Sequence, residues 1–500
     1  MTAKMLMLMG SMSSVGKSLL TAGFCRIFTR KGLRVLPFKA QNMSNNAAVC
    51  LNGGEIGRAQ AVQAAAAGVQ ATVQMNPVLL KPEADHKSQL ILLGKLQGSF
   101  SGTDYYAMRN QLWQPITESL ESLRSEADLV LIEGAGSIAE LNLLKNDVTN
   151  LAIARYAKAP CLLIGDIDRG GIFAQLAGSW WLLSEADRKF IRGFIVNKFR
   201  GEIKLFSEGT RILSERSDGT PVAGVVPYLP DHGIADEDAA AFSSVGMKSP
   251  AARKICVVKL PHISNFDDFD PLKYEPMVNL VFCDRPDEMR GAAAILLPGT
   301  KNTLGDMQWL VQSGMADAIQ DASRQGAAVV GICGGFQLMG EQIRNPLRLE
   351  SGIEACAGLG LLPVETVMAG SKKVSQTEMQ LISVSGFLNS LQGLTVQGYE
   401  IHYGETQSTH PIFKVKRAGQ EKFDGFDGAI AADGKSFGTY LHGLFDNDGF
   451  RSAWLRALDI EPSGLSFRTM VSQSFDRLAD HLEEHLDIAL IEQIIDQGIS

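Results

Sequence analysis

The sequence predicts an α/β protein of two domains, each built on a mainly parallel sheet. Its 500 residues exceed the roughly 250–300 over which a single core keeps growing. Short apolar runs without polar alternation, bounded by Gly, Pro or Asp, recur between helical patterns in both halves. Strands buried on both faces read in this way. The runs also form two series, parted by the small and polar stretch Phe242–Lys254. The expected division is therefore residues 1–250 and 251–500.

The first series is Met5–Met9, Leu33–Phe38, Leu129–Ile132, Cys161–Ile164, Gly193–Val196 and Val222–Val226. Within it, Gly57–Gly68 is rich in Ala and Gln and reads as a helix. The second series is Ile255–Leu260, Ala294–Leu297, Ala327–Ile332 and Ser436–Leu441. The last stretch, Ser466–Ile499, places Leu478, Leu482, Leu486, Ile488, Leu490, Ile491 and Ile494 at helical spacing.

Composition excludes several classes. Hydrophobic residues make up 45% and charged residues 20%, which rules out wholesale disorder and fibrous repeats. Met5–Met9 meets Gly10 far short of a membrane span, and no cleavage pattern of a secretory signal follows. Seven cysteines, at 25, 50, 161, 256, 283, 333 and 356, include no C-x-x-C pair. That fits a reduced, cytoplasmic chain rather than a disulfide framework or a zinc knuckle. A net charge of −8 argues against nucleic acid or an anionic membrane as the main partner. The oligomeric state is not legible.

The run Met5–Met9 opens a phosphate cradle. Gly10-Ser-Met-Ser-Ser-Val-Gly16-Lys17-Ser18 is a glycine-bounded loop between a strand and a helix start, where backbone N–H groups and the helix dipole favour phosphate. Gly10, Ser11, Ser14, Val15 and Gly16 form the loop. Lys17 is the cation for the terminal phosphates, and the Ser18 hydroxyl is a ligand for Mg²⁺. Five residues separate the two glycines, one more than usual. Further polar residues end successive strands, where ligands bind in open α/β sheets. They are Lys39, Glu133 (a second Mg²⁺ candidate), Asp166 with Asp168, and Asn197, placed to read an adenine edge. Lys39 and Asp166 are candidates for contact with phosphate or substrate.

The second series carries a thiol. Gly331-Ile-Cys333-Gly334-Gly335 between a buried strand and a helix is the thiol form of the nucleophile elbow. The glycines make room for a strained turn, so Cys333 is expected at positive φ, at a helix N-terminus that favours thiolate. Gly334 N–H faces the oxyanion, and Gly299 in Leu296-Leu-Pro-Gly-Thr300 offers the second donor. The other cysteines read as small buried hydrophobes. His442, directly after a strand, is the base candidate, and His402 in Gly398-Tyr-Glu-Ile-His402 is its rival. His481-Leu-Glu-Glu484-His485 fits an inverted zinc-protease pattern. Only fifteen residues follow it, so it reads as the charged face of the terminal helix.

The cradle resembles that of dethiobiotin synthetase and its relatives, which activate carboxylates as acyl phosphates. Partition and division-site ATPases place an extra lysine where this chain has Met12. The elbow and His442 resemble class I glutamine amidotransferases, whose domain is flavodoxin-like. Joined in this order, the two parts resemble the cobyrinate and cobyric acid synthases of cobalamin biosynthesis. Pro37–Asn46, Glu133–Gly136, Asp166–Gly171, Val196–Gly201, Pro261–Pro271 and Gly398–His402 look like the cobyric acid synthase branch. The resemblance implies ATP and Mg²⁺ as cofactors and glutamine as ammonia donor. It further implies four amidations, at the b, d, e and g carboxylates of adenosylcobyrinic acid a,c-diamide, a corrinoid small molecule. Ammonia would travel between the domains by a shielded path. One departure stands out: class I glutaminases carry Glu two residues after the His, where this chain has Leu444, leaving open what orients His442. The alternatives are the sister enzyme acting at a and c, another ATP-dependent amidotransferase, and a nucleotide-switch binding protein with a degenerate glutaminase domain.

Overall fold

Each apolar run of the first series becomes a strand of one six-stranded parallel sheet. Its spatial order is Val222–Pro227, Ile191–Phe199, Cys161–Asp166, Lys4–Gly10, Leu129–Glu133, Val35–Phe38. The computed structural model describes residues 2–82, 87–142, 147–235, 250–382, 385–419 and 421–499. Both faces of the sheet are covered, which is why the runs lack polar alternation. Met5, Met7 and Met9 enter one core cluster with Val130, Ile132, Cys161 and Leu163. Leu6 and Leu8 enter another with Leu129, Leu131, Leu162 and Ile164. The Ala/Gln-rich stretch is the helix Arg58–Ala66.

The second series forms another six-stranded sheet, ordered Val278–Cys283, Arg253–Val258, Ala294–Leu297, Ala328–Ile332, Phe437–Thr439, Ala429–Ile430. All neighbours run parallel except the last pair. A further layer is mainly antiparallel, built on the long strands Val364–Leu381 and Thr395–Ser408, with Gln342–Arg344 running parallel to its neighbour Val364–Leu381. Period and composition did not predict this layer, nor the strands Val78–Pro82, Lys87–Leu92 and Lys95–Ser101 of the first half.

The chain does not divide at a single cut near residue 250. One compact unit comprises Met1–Ser44, Glu55–Glu237 and Val471–Ser500, and the other Asn45–Gly54 and Asp238–Met470. The terminal residues join the first unit because their apolar face completes its core. Leu478, Leu482, Leu486, Ile491 and Ile494 are buried beside Phe24, Phe28 and Leu131. A Cβ on Gly23 would lie 2.3 Å from Leu482 Cδ1, so a side chain there would push the leucine from its place. The expected continuous terminal helix is two, Phe467–His485 and Ile488–Gln497. Between them Leu486 bridges to Gly224 and Asp487 caps the second helix through Leu490 N. The linker expected at Phe242–Lys254 lies, over residues 242–249, outside the described residues.

Candidate active sites

Three neighbouring strands of the second sheet end at the thiol. Cys333 follows Ala328–Ile332, Gly299 and Thr300 follow Ala294–Leu297, and His442 lies just beyond Phe437–Thr439. Cys333 has φ 54° and ψ −110°, a costly region for a residue with a Cβ. The flanking glycines are sterically obligatory. A Cβ on Gly335 would lie 1.9 Å from Leu297 O, and one on Gly331 would lie 2.5 Å from Gly335 C. The turn is tied down by Cys333 N donating to Thr439 O at 2.8 Å. Gly334, the first residue of the following helix, has an N–H with no acceptor within that helix. It sits against the other expected donor loop, since a Cβ there would be 2.9 Å from Thr300 N. Gly299 in turn faces the base, because a Cβ on it would be 3.2 Å from His442 Cε1.

His442 hydrogen-bonds Asp268 and lies close enough to Cys333 to feel its charge, while Cys333 Sγ donates to Ile401 O at 3.4 Å. His442 Nδ1 lies 2.7 Å from Asp268 Oδ2, and Asp268 Oδ1 accepts from Gly443 N at 2.8 Å. Cys333, His442 and Asp268 are all buried. Burial by itself opposes a charged imidazole. The negative charges of Asp268 and Cys333, with the hydrogen bond to Asp268, override it and raise the His442 pKa to about 10. Asp268 therefore does the orienting that a Glu at position 444 would do, and Leu444 is a buried core residue. The rival His402 is engaged elsewhere, with its ring stacked on Tyr440 at 3.8 Å and Nδ1 2.7 Å from Gly404 O.

The cradle lies at the strand ends of the first sheet. Ser14 (φ 58°) and Gly16 (φ 95°) take left-handed backbone that turns the loop into the helix Lys17–Arg30. Lys17 Nζ reaches Gly136 O at 2.9 Å and Met12 O at 3.3 Å, curling over the loop. Ser11 N donates to Ile164 O. Ser18 Oγ donates to Glu133 Oε1 at 2.8 Å, so the two expected Mg²⁺ ligands are neighbours. Two hard oxygens beside a phosphate loop are a donor set that Mg²⁺ accepts. Lys39 pairs with Glu133 at 2.8 Å, and Gln63 Nε2 donates to it at 2.5 Å. Burial alone would raise the Glu133 carboxyl, but the Lys39 charge and the hydrogen bonds from Lys39, Gln63 and Ser18 hold it below the usual range.

Two families of known proteins match the two halves. A model of the CobQ/CobB/MinD/ParA nucleotide binding domain matches residues 6–240. A model of the CobB/CobQ-like glutamine amidotransferase domain matches residues 254–450. The cobyric acid synthase of Chloroflexus aurantiacus is 47% identical across 99% of this chain and 100% of its own length. That of Sorangium cellulosum is 46% identical across 99% of each chain. That of Moorella thermoacetica is 43% identical across 99% of this chain and 97% of its own. The chain belongs to the cobyric acid synthases.

With the family comes the enzyme class, a glutamine-dependent, amide-forming ligase with a nucleotide-binding domain. The sister amidotransferases and the nucleotide switch are not favoured. Further expected residues of this cobyric acid synthase stand against the phosphate loop and are held there by one another. Asn197, expected at an adenine edge, donates from Nδ2 to Val15 O at 2.8 Å and so braces the loop. Asp166, expected at substrate or phosphate, is bound by Lys198 at 2.9 Å. Lys198 also donates to Ser14 O at 2.6 Å, a brace that sequence reasoning missed. Asp268 and Gln63 were missed as well. The residues of the zinc-protease pattern are helix residues, with His481 Nε2 3.0 Å from Pro227 O and His485 Nδ1 2.8 Å from His481 O.

Proposed function

We propose that the two units divide an amidation between them, one activating carboxylates and the other releasing ammonia. The observation that carries this reading is the Cys333–His442–Asp268 line at one set of strand ends, in a chain that also holds a phosphate cradle. Cys333 as thiolate attacks the glutamine amide carbon. The N–H groups of Gly334 and Gly299 receive the oxyanion. His442 gives its proton to the departing nitrogen, releasing ammonia and leaving a thioester. Water then cleaves the thioester to glutamate and restores the thiol. Asp268 keeps the imidazole turned toward sulfur throughout.

In the first unit the loop Gly10–Ser18 would hold ATP, with Lys17 swinging from its carbonyls to the terminal phosphates. Ser18 and Glu133 would hold Mg²⁺, which supplies charge neutralisation at the phosphates when bound. Lys39 is then released from Glu133 to meet phosphate or carboxylate. A substrate carboxylate attacks the γ-phosphorus and ADP leaves. Ammonia next attacks the acyl phosphate, and inorganic phosphate leaves with formation of the amide. An open groove of about 700 Å³ beside Ser11, lined by Ala139, Ala174, Gln175, Gly178 and Trp181, gives a bulky acid access to the cradle. The acid that the family implies is adenosylcobyrinic acid a,c-diamide, amidated at b, d, e and g.

The test is Cys333→Ala with either glutamine or ammonium as nitrogen donor. Glutamine-dependent amidation of the corrinoid should vanish. Ammonium should restore it, increasingly as pH rises, because only neutral ammonia is nucleophilic. A folded, ATP-binding Cys333→Ala protein that ammonium cannot rescue would show that the thiol acts beyond ammonia release.

A further inference from the structure

Asn45–Gly54 and residues 263–265 take no part in this chemistry, and the structure joins them behind the histidine. Residues 45–54 are part of the second unit, although the chain on either side, Ser44 and Glu55, belongs to the first. Asn46 Oδ1 accepts from Asn265 N at 2.9 Å, and Ala47 N donates to Asn265 Oδ1 at 3.3 Å. Asn265 is thus clasped by the segment through both main chain and side chain. It stands at φ 51°, a left-handed conformation that Asn bears better than most residues.

Asn265 then touches both supports of His442. Its carbonyl accepts from Asp268 N at 3.2 Å, anchoring the turn Phe266–Phe269 that presents the Asp268 carboxylate. Its Nδ2 donates to Tyr399 Oη at 3.1 Å. The Tyr399 ring lies nearly parallel to the imidazole, with centroids 5.0 Å apart and planes at 13°. The two residues also exchange backbone hydrogen bonds, His442 N to Tyr399 O at 2.9 Å and Tyr399 N to His442 O at 3.2 Å. A second tether reaches the same place. Gln376 Nε2 donates to Val49 O at 2.6 Å, and Gln376 is the cross-strand partner of Tyr399. Asn46, Asn265 and Tyr399 are all buried, so these bonds do not compete with water and their loss is felt at the ring.

We infer that Asn46, Asn265 and Tyr399 are positioning residues of the glutaminase, through which the placement of segment 45–54 sets that of His442. The segment continues at both ends into the unit that carries the cradle. The inference rests on the division of labour proposed above.

The experiment measures glutamine hydrolysis by the full chain and separates kcat from KM. The variants are Asn46→Ala, which deletes the acceptor, and Tyr399→Phe, which keeps the stacked ring and deletes only the hydroxyl. In each, kcat should fall roughly threefold to tenfold, the worth of one buried hydrogen bond. KM for glutamine and ammonium-driven amidation should not change. Asn46→Asp, which retains an accepting oxygen, should restore kcat. A kcat left intact in both Asn46→Ala and Tyr399→Phe overturns the inference. Failure of ammonium-driven amidation in the unsubstituted chain sinks the division of labour itself, and is read separately.

Discussion

Asp268→Asn is the perturbation that most directly probes the glutaminase centre. The substitution keeps the shape of the residue and removes the charge 2.7 Å from His442 Nδ1. A hydrogen bond to a charged partner contributes about 1.5–3 kcal/mol. Since ~1.4 kcal/mol is a factor of ten in rate, kcat for glutamine hydrolysis should fall roughly tenfold to a hundredfold. The pH dependence gives a second reading. With its pKa raised to about 10 from 6.5, His442 stays protonated through neutral pH, and the charged form is lost as pH rises through about 10. The stabilisation from that ion pair has the same sign: it is fully present below about 6.5 and disappears on the alkaline side. Removing the Asp268 charge should therefore bring the alkaline limb of the glutaminase profile down by about one to two pH units. The assay is glutamate release from glutamine across pH, with ammonium-driven amidation as the control for folding. An alkaline limb and a kcat that match the unsubstituted chain would refute Asp268 as the group that orients and charges the histidine.

Lys17→Ala should abolish amidation of the corrinoid with either nitrogen donor while glutamine hydrolysis stays measurable; rescue by ammonium would remove Lys17 from the cradle. Gly335→Ala must displace the Leu297 carbonyl, because its new Cβ would start 1.9 Å from that oxygen. It should cost at least about 1–3 kcal/mol of stability and eliminate glutaminase activity, read by thermal unfolding and glutamate release. Leu482→Ala empties a fully buried site over Gly23. It should destabilise the nucleotide-binding unit by about 2–5 kcal/mol, seen as a lowered thermal transition that ATP partly restores.

The strands that build both parallel sheets were legible because burial on two faces writes an unbroken apolar run, as in Met5–Met9 and Ala327–Ile332. The antiparallel layer was not. Val364–Leu381 includes Lys372, Lys373, Gln376 and Glu378 among its apolar residues, and its register against Thr395–Ser408 shifts between Met368 and Lys373. A half-exposed strand with a bulge loses the alternation that would announce it. The helix Gly102–Glu126 was also overlooked, with Pro115 inside it breaking the reading at a residue that usually ends helices. The division into units was read as one cut because linkers are visible in composition. The amphipathic face of Phe467–His485 does not say which core it will cover.

At the thiol and the cradle, what could be read was whatever a turn demands locally. Gly331 and Gly335 declare the strain at Cys333, and Gly10 and Gly16 declare the phosphate loop, because their steric requirement falls on the residues beside them. The supporting shell makes no such demand on its neighbours. Asp268 serves a histidine 174 residues away, and Gln63 serves a carboxylate 70 residues away. Each is an ordinary polar residue in its own stretch. Two residues after His442, where the class I glutaminases that this half resembles carry Glu, the chain has Leu444. Geometry explains how that loss is tolerated. An imidazole needs one acceptor at Nδ1, and the strand end at His442 can be approached from the turn Phe266–Phe269 as readily as from its own chain. The same turn starts at Asn265, which segment 45–54 clasps. Asp268 is thus presented by a turn whose first residue, Asn265, hydrogen-bonds Asn46 and Ala47, a support that a Glu at position 444 would not need.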